Sequence, residues 1–123
     1  MTGIKQRLGS RGEGLAVEHL TAAGLVIVDR NWRCRHGELD IVALDGDGAT
    51  ATLVFCEVKL RRGTGFGTPL EAITASKVRR LRVLAGAWLS AHPAHAVRIR
   101  LDAIGILERP GQAPEITHLR GIG

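Results

Sequence analysis

The chain has 123 residues, of which 17 are Lys or Arg and 12 are Asp or Glu, giving a formal net charge of +5 at neutral pH. This length suits one domain, so we expect a single domain over residues 1–123, with its core at about 9–107 and a short tail at 108–123. A hydrophobic content of 45% argues against disorder, and the basic balance favours a polyanionic partner, first of all nucleic acid.

A helix and a short strand are the first elements predicted. Residues 10–13, Ser-Arg-Gly-Glu, form a capping-box pattern that would open a helix running to about Ala23 and ended by Gly24. The apolar run at 25–28 predicts a short buried strand, and residues 31–37 predict a polar connection.

Two further strands are predicted to form an antiparallel hairpin. Residues 38–44 alternate between polar and apolar side chains, and the Asp-Gly-Asp-Gly sequence at 45–48 is a strong turn signal. Residues 52–59 are rich in apolar and β-branched side chains, as expected of the second strand. The Gly-rich, basic segment 61–67 then predicts a mobile loop near the substrate.

A long helix and one more strand complete the predicted core. Thr68 as N-cap, with Pro69 at the first helical position, would open a helix that runs to about Ala91, and residues 97–107 predict a strand. The tail from Glu108 could hold another short strand, which the sequence does not place. The order α-β-β-β-α-β indicates an α/β protein with a mixed central sheet flanked by helices.

Glu57 and Lys59 are two residues apart in the second strand of the hairpin, so both side chains point to one face of the sheet. Glu-x-Lys alone is common and could be a solvent-facing ion pair. Asp40, in the preceding strand, adds a second carboxylate. Directly opposed residues of antiparallel strands share a face, so Asp40 and Glu57 meet only in one register. In that register Leu44 opposes Leu53 and the connection is long or bulged.

Two carboxylates held close together repel each other unless a cation lies between them. Mg²⁺ or Mn²⁺ suits this arrangement because hard cations prefer carboxylate oxygens, and a water acidified by such an ion can attack a phosphodiester. Lys59 could orient that water or offset the charge that develops on the phosphate. We therefore expect Asp40, Glu57 and Lys59 to form a catalytic group for phosphodiester hydrolysis.

Glu13 is a third candidate acid with two alternative roles. As the N3 residue of the predicted capping box, it would need no other explanation. On a helical projection it also falls on the apolar stripe of Ala16, Val17 and Leu20, which is expected to face the sheet. In the second interpretation Glu13 binds the metal directly or through water, or orients Lys59.

Several cations are candidate contacts for nucleic-acid phosphates, each of them weak on its own. Lys77 falls on the apolar stripe of the long helix, so it either extends to solvent or reaches the reactive face. The predicted phosphate contacts are Arg33, Arg35, Arg61, Arg62, Lys77 and Arg80. Aromatic residues are scarce, with two Trp, two Phe and no Tyr, so binding should depend on phosphates and shape rather than on base stacking.

The cysteines and histidines do not form a convincing zinc site. Cys34, His36 and Cys56 lack closed-site spacing, and Cys56 should face away from the acids. Asp102, between two apolar residues, is expected to pair with a nearby cation instead. Because there is no CxxC pair, no apolar leader and no apolar run of membrane-spanning length, we expect a cytoplasmic protein without a membrane association.

The order of several short motifs resembles the bacterial YraN family, which is described as predicted endonucleases similar to archaeal Holliday-junction resolvases. The resemblance covers about Gly9 to Ile106, with a longer stretch between Asp40 and Glu57. The matching motifs are Gly12-Glu13, Arg30-Asn31-Trp32-Arg33, Gly37-Glu38-Leu39-Asp40-Ile41-Val42-Ala43, Val54-Phe55-Cys56-Glu57-Val58-Lys59 and Leu101-Asp102-Ala103.

This resemblance implies the restriction-endonuclease-like fold of the PD-(D/E)xK superfamily, with Glu13, Asp40, Glu57 and Lys59 as its three acids and its lysine. Asp40, Glu57 and Glu13 would then bind Mg²⁺ or Mn²⁺. DNA would be the substrate, including branched or damaged DNA in repair or recombination. Junction resolvases commonly act as dimers, so a two-fold homodimer is also expected.

Three functions fit the sequence. The first is an active metal-dependent nuclease, the second is a non-catalytic nucleic-acid-binding protein that retains the nuclease fold, and the third is a basic assembly or interaction protein whose acids balance its cations. The complete set of acids favours the first over the second, because a pure binder gains nothing from carboxylates that face phosphates.

Overall fold

A computed structural model of the chain describes residues 3–63, 65, 67–93 and 98–123, and side chains from residue 9 onward. Two helices and five strands account for most of these residues, with short 3₁₀ turns at Gly48–Thr50 and Leu70–Ala72. In chain order the elements are α1 (Gly3–Ala22), β1 (Val26–Cys34), β2 (Gly37–Asp45), β3 (Thr52–Arg61), α2 (Ala75–Ala91), β4 (Arg98–Leu107) and β5 (Glu115–Arg120).

The five strands form one mixed sheet in the order β1-β2-β3-β4-β5. β3 and β4 are parallel and are connected through α2, whereas the other neighbours are antiparallel. The predicted α/β class and the αβββαβ order are confirmed, and the architecture is consistent with a restriction-endonuclease-like fold. The segment predicted as a tail contributes β5, which pairs with β4.

Each face of the sheet carries its own hydrophobic core. Ala16 and Leu20 of α1 pack on one face with Ile41, Ala43, Val54, Cys56, Ile104 and Ile106. On the other face, α2 contributes Leu81, Leu84, Ala85 and Trp88, which pack on Leu39, Val42, Leu53, Phe55 and Leu101. Because β3 side chains alternate between the two cores, Glu57 and Lys59 fall on the α2 side, and Val58 and Leu60 pack toward α1.

The predicted capping box at residues 10–13 is wrong, because α1 begins at Gly3 and already runs through Ser10. The amides that a cap would satisfy can therefore bond to carbonyls of the preceding helical turn. The predicted buried strand at 25–28 is also wrong in extent and burial. It is the start of β1, a longer edge strand in which Val26 is 61% exposed.

The long helix begins at Ala75 rather than near Thr68, so that boundary was wrong, whereas its predicted end at Ala91 is confirmed. Thr68 opens only a 3₁₀ turn, and Ile73 then leaves helical geometry, with φ −95° and ψ 88°. The turn packs on β4, since a Cβ at Gly105 would lie 2.9 Å from Leu70 Cγ. Long-range packing on the sheet thus overrides the local helix signal.

Three positions used in the sequence predictions, Thr64 and Phe66 in the Gly-rich segment and Val97 at the start of the last predicted strand, lie outside the described residues. Among the helices that are described, none combines the length and apolar character that a bilayer crossing requires.

Candidate active site

The register of β2 and β3 brings Asp40 and Glu57 together. The two strands pair from Asp45↔Thr52 to Ile41↔Cys56, with Leu44 opposite Leu53, which is the predicted register. Asp40 and Glu57 would be the next pair along. Instead of continuing the ladder, Asp40 Oδ2 accepts a hydrogen bond from the backbone amide of Val58 at 2.8 Å. The Asp40 carboxylate therefore connects β2 to β3 beside Glu57, at the point where their regular pairing ends.

Burial makes both carboxyl groups weaker acids than usual, and at Asp40 the negative charge of Glu57 adds to the effect. Burial raises the pKa of Asp40 to about 7, with repulsion from Glu57 as the next cause and smaller contributions from Glu38 and Glu13. Burial also raises the pKa of Glu57. A divalent cation between the two groups would relieve this repulsion, and protons relieve it otherwise.

Three cations oppose the effect of burial on the pKa of Glu57. Arg80, Lys77 and Lys59 each lower its pKa through their positive charge. Lys59 follows Glu57 on the same face of β3, while Lys77 and Arg80 approach from α2. Lys77 therefore lies close enough to act on the predicted reactive face, as one of its two alternatives required.

Glu13 lies in the middle of α1, where it is only 6% exposed. Its Oε1 accepts hydrogen bonds from Arg30 Nε at 2.7 Å and from Asn31 Nδ2 at 3.0 Å. Adjacent residues of a regular strand point to opposite faces, so β1 must be irregular for both side chains to reach one carboxylate. The irregularity is at Asn31, whose φ of 53° lies in the left-handed region that Asn tolerates better than most residues.

Arg30 and Asn31 were not predicted as site residues. Residues 31–37 were instead assigned to a polar connection. Asn31 lies between the ladder pairs Arg30↔Ile41 and Trp32↔Leu39, and therefore opposite Asp40. The available signal was the residue type itself, because Asn within a polar run is a candidate for positive φ. No local pattern indicated that its amide would reach Glu13.

Gly12 allows α1 to approach β3 closely. A Cβ at this position would lie 3.1 Å from Leu60 Cβ and 3.8 Å from Val58 Cγ1, so a larger residue would push the helix away from the strand. Glu13 follows directly and is carried to the end of the sheet at which Asp40 lies. The influence of Glu13 on the pKa of Asp40 is consistent with this proximity.

The predicted arginine contacts differ in their surroundings. Arg33 is exposed and its Nε donates to Glu38 Oε2 at 2.6 Å, while Arg35, also exposed, contacts His36. Arg62 Nε lies 3.3 Å from Glu108 Oε1. Within the described residues, Arg61 Nε is the buried side-chain nitrogen that has no hydrogen-bond partner. Such donors are rare in folded proteins, and an anionic ligand would satisfy this one.

Comparison with known proteins agrees with the resemblance in the sequence. Residues 12–106 match the family described as "Uncharacterised protein family UPF0102". The chain belongs to this family. A UPF0102 protein of Mycobacterium avium is 55% identical over 117 residues, which cover 95% of this chain and 90% of the relative. A second, from Mycolicibacterium smegmatis, is 54% identical over 119 residues, with coverages of 97% and 94%. A third, from Mycobacterium tuberculosis, is 51% identical over 125 residues, with coverages of 99% and 96%.

The carboxylates of this UPF0102 chain fit one mode of divalent-metal binding better than another. Across residues 3–63, 65, 67–93 and 98–123, no three His, Cys, Asp or Glu side chains are grouped closely enough to hold a metal ion. Mg²⁺, however, is commonly held by one or two carboxylates together with water and substrate phosphate oxygens. Asp40 and Glu57 suit that mode, whereas Oε1 of Glu13 is already bonded to Arg30 and Asn31.

Asp102 has the structural role that the sequence predicted. It is fully buried and accepts two hydrogen bonds from Arg100, one from the backbone amide of Gly121 and one from His118 Nε2. Burial alone would raise the pKa of Asp102, but the bonds from Arg100 and His118 lower it overall. Asp102 thus anchors β4 and β5 as an ionised group on the α1 side of the sheet.

Proposed function

We propose that this UPF0102 protein is a metal-dependent endonuclease that hydrolyses phosphodiester bonds in DNA, including branched or damaged DNA. The register that sets Asp40 beside Glu57, with Lys59 on the same face, carries this proposal. Two acids of raised pKa are costly for an apoprotein, and a cation site is the simplest use for them.

In the proposed mechanism, Asp40 and Glu57 would hold Mg²⁺ or Mn²⁺, which would act as a Lewis acid and lower the pKa of water. Lys59 orients the attacking water or offsets the negative charge that builds up on the phosphate oxygens. Glu13, held by Arg30 and Asn31, would orient Lys59 or help to hold the cation.

The cations around these acids support a phosphate-bearing substrate. Arg61 Nε is a buried donor to which a phosphate oxygen could bond, and Lys77 and Arg80 bring positive charge to the same face of the sheet. Arg33 and Arg35 lie at the β1–β2 turn, and Arg62 follows β3. A polyanion at the carboxylates would therefore meet cations on either side of β3.

One observation favours the alternative, a non-catalytic nucleic-acid-binding protein that retains the fold. Among the described residues the acids do not form a group of three that could hold a metal ion. In that case the protein would bind nucleic acid without cleaving it, and removal of Asp40 or Glu57 would strengthen binding by removing negative charge.

A substrate panel tests the proposal. Duplex, nicked, flap, four-way-junction and RNA substrates are incubated with Mg²⁺ or Mn²⁺ and the wild type, Asp40→Asn, Glu57→Gln or Asp47→Asn. Asp47 is an exposed residue in the β2–β3 connection, at the far end of the hairpin, so its variant is a matched charge control. We expect cleavage by the wild type and the control, and a loss of at least about 100-fold in the other two variants.

Two results would contradict the proposal. Binding without cleavage of any substrate, strengthened in Asp40→Asn, would establish the alternative instead. Cleavage that is equal in all variants would have to come from another enzyme in the preparation.

A two-fold homodimer also belongs to the proposal, because symmetric cleavage of a four-way junction needs two sites. Light scattering with and without the junction measures the oligomeric state.

A further inference from the structure

A basic groove lies at the edge of the sheet where the parallel strands β3 and β4 end. It is a groove of about 700 Å³ lined by Arg11, Arg62, Gly63 and the β4–β5 loop, including Glu108 and Arg109. The amide of Glu108 donates to the carbonyl of Arg61 at 2.9 Å, which fixes the start of this loop to the end of β3. The groove thus begins on the strand that carries Glu57 and Lys59.

Glu108 holds two of the groove arginines at once. Its Oε2 contacts the guanidinium group of Arg11, and its Oε1 lies 3.3 Å from Arg62 Nε. The Glu108 side chain is only 16% exposed, whereas those of Arg11 and Arg62 are 47% and 60% exposed. The hydrogen bond from Arg11 is the largest cause that lowers the pKa of Glu108, so this carboxylate is ionised at neutral pH.

We infer that Glu108 occupies the position of a nucleic-acid phosphate, and that a bound strand displaces it from Arg11 and Arg62. A carboxylate and a phosphate can each accept two parallel hydrogen bonds from the planar guanidinium group of arginine, so an arginine placed for one can bind the other. Arg109 extends the same surface. This inference rests on the proposed function for the identity of the ligand, and it adds a phosphate-binding track outside the group of acids.

Displacement of Glu108 by a phosphate costs the two arginines little free energy. Arg11 and Arg62 are themselves well exposed, and ion pairs of exposed cations contribute little to stability, so the two arginines lose little when they leave Glu108. The backbone bond from Glu108 to Arg61 does not involve the side chain and remains intact. In the free protein, Glu108 screens two cations, and it therefore weakens binding to nucleic acid that does not fill the groove.

The charge of Glu108 can be tested without any cleavage. Binding of a fluorescent duplex and of a fluorescent single strand is measured by anisotropy in EDTA, over a range of salt concentrations. The variants are Glu108→Gln, Arg11→Gln, Arg62→Gln, both arginine variants combined with Glu108→Gln, and the control Asp47→Asn. The control removes the same charge from the exposed connection at the far end of the β2–β3 hairpin.

The Glu108→Gln variant no longer holds the two arginines, so it should bind the nucleic-acid probes about 3- to 10-fold more tightly than the wild type at low salt. The slope of log affinity against log salt should become steeper by about 1. Asp47→Asn should change the affinity less than about twofold, because its charge lies far from the groove. Arg11→Gln and Arg62→Gln should weaken binding, and more so in the Glu108→Gln background, where the arginines no longer have to leave a carboxylate.

Equal affinities of Glu108→Gln and Asp47→Asn, with binding by the wild type intact, would overturn the inference and leave the proposed function standing. Absence of binding by every protein at low salt would overturn both. Circular dichroism checks that each variant is folded. If Glu108→Gln is unfolded, Arg62→Gln alone decides, because unchanged binding by that variant contradicts a phosphate contact in the groove.

Discussion

Asp40 accepts its hydrogen bond from the amide of Val58, one residue beyond Glu57, its neighbour in the strand register. The bond takes the place of the next ladder pair and fixes the Asp40 carboxylate against β3 where the regular β2–β3 pairing ends. Asp40 is therefore held where its charge is unfavourable, since burial and Glu57 both oppose ionisation. The apoprotein pays for this arrangement in stability, which makes it measurable.

Asp40→Asn should raise the free energy of unfolding of the metal-free protein at pH 8 and change it little at pH 4. The pKa of Asp40 rises from 3.8 to about 7 on folding, so between these values only the folded state holds the proton. The free energy of unfolding then falls as the pH rises through this window. Asn cannot ionise and can still accept from Val58, so we expect a gain on the order of 2 kcal/mol at pH 8.

Urea denaturation in EDTA at the two pH values measures this difference. Added Mn²⁺ or Mg²⁺ should then raise the melting temperature of the wild type at pH 8 but not that of Asp40→Asn, because the variant lacks one of the two proposed anionic ligands. A stability difference that is the same at both pH values would show that Asp40 does not titrate as described.

Gly12→Ala should destabilise the protein, although alanine is the better helix former. The added Cβ would lie 3.1 Å from Leu60 Cβ, so α1 or β3 has to move, at a cost of about 1–3 kcal/mol. Gly14→Ala is the matched control, since no heavy atom lies within 4 Å of its Cβ, and it should gain about 0.5–1 kcal/mol. Chemical denaturation of both variants is the measurement, and equal effects would contradict a close approach at Gly12.

Asn31→Ala should cost more stability than Asn31→Gly, by about 1 kcal/mol, because both lose the bond to Glu13 but only alanine is strained at a φ of 53°. A double-mutant cycle with Glu13→Gln should give a coupling above about 0.5 kcal/mol. Urea titrations provide all of these values. Equal costs for the two substitutions would mean that the positive φ does not persist in solution.

Asp102→Asn should destabilise the protein by about 3 kcal/mol at pH 7, since it removes the fully buried charge to which Arg100 and His118 are bonded. Folding lowers the pKa of Asp102, so its stabilising charge is fully present above the ordinary pKa of 3.8 and is lost as the pH falls through the lower folded value. The difference from wild type should therefore shrink below about pH 4.

Asp45→Asn is the control for Asp102, because Asp45 contacts the same Arg100 but is 32% exposed. It should cost no more than about 1 kcal/mol. Thermal unfolding at several pH values compares the two variants with the wild type. A similar loss in both would mean that burial does not distinguish the two ion pairs.

The proximity of Asp40 and Glu57 was predictable because only one register of the hairpin brings the two acids together. Local patterns were less reliable. The sequence of the Ser10–Glu13 segment is compatible both with the start of a helix and with its interior. Nothing in it reveals that the preceding residues are already helical. The helix signal at Thr68 failed because Leu70 packs on Gly105, a contact that sequence periodicity cannot anticipate.

The residues missed by the sequence analysis are those whose partners are distant in the chain. Glu108 and Arg11 are 97 positions apart, and only the sheet brings them together. Arg30 and Asn31 meet Glu13 through a local irregularity in β1, which alternation rules treat as an exception. Asp40 and Glu57, which share a hairpin, were therefore predicted together, whereas the contacts of Glu13 with Arg30 and Asn31 and of Glu108 with Arg11 were not.

The parallel pairing of β3 with β4 also has a kinetic consequence. β1, β2 and β3 form a meander of neighbouring segments, whereas the ten pairs from Thr52↔Arg98 to Arg61↔Leu107 must wait until the intervening chain has closed a long loop. On a ribosome, the hairpin with Asp40 and Glu57 would emerge well before β4 does. Nascent chains would thus carry both acids on an open strand edge, and completion of the sheet would be the slow, aggregation-sensitive step.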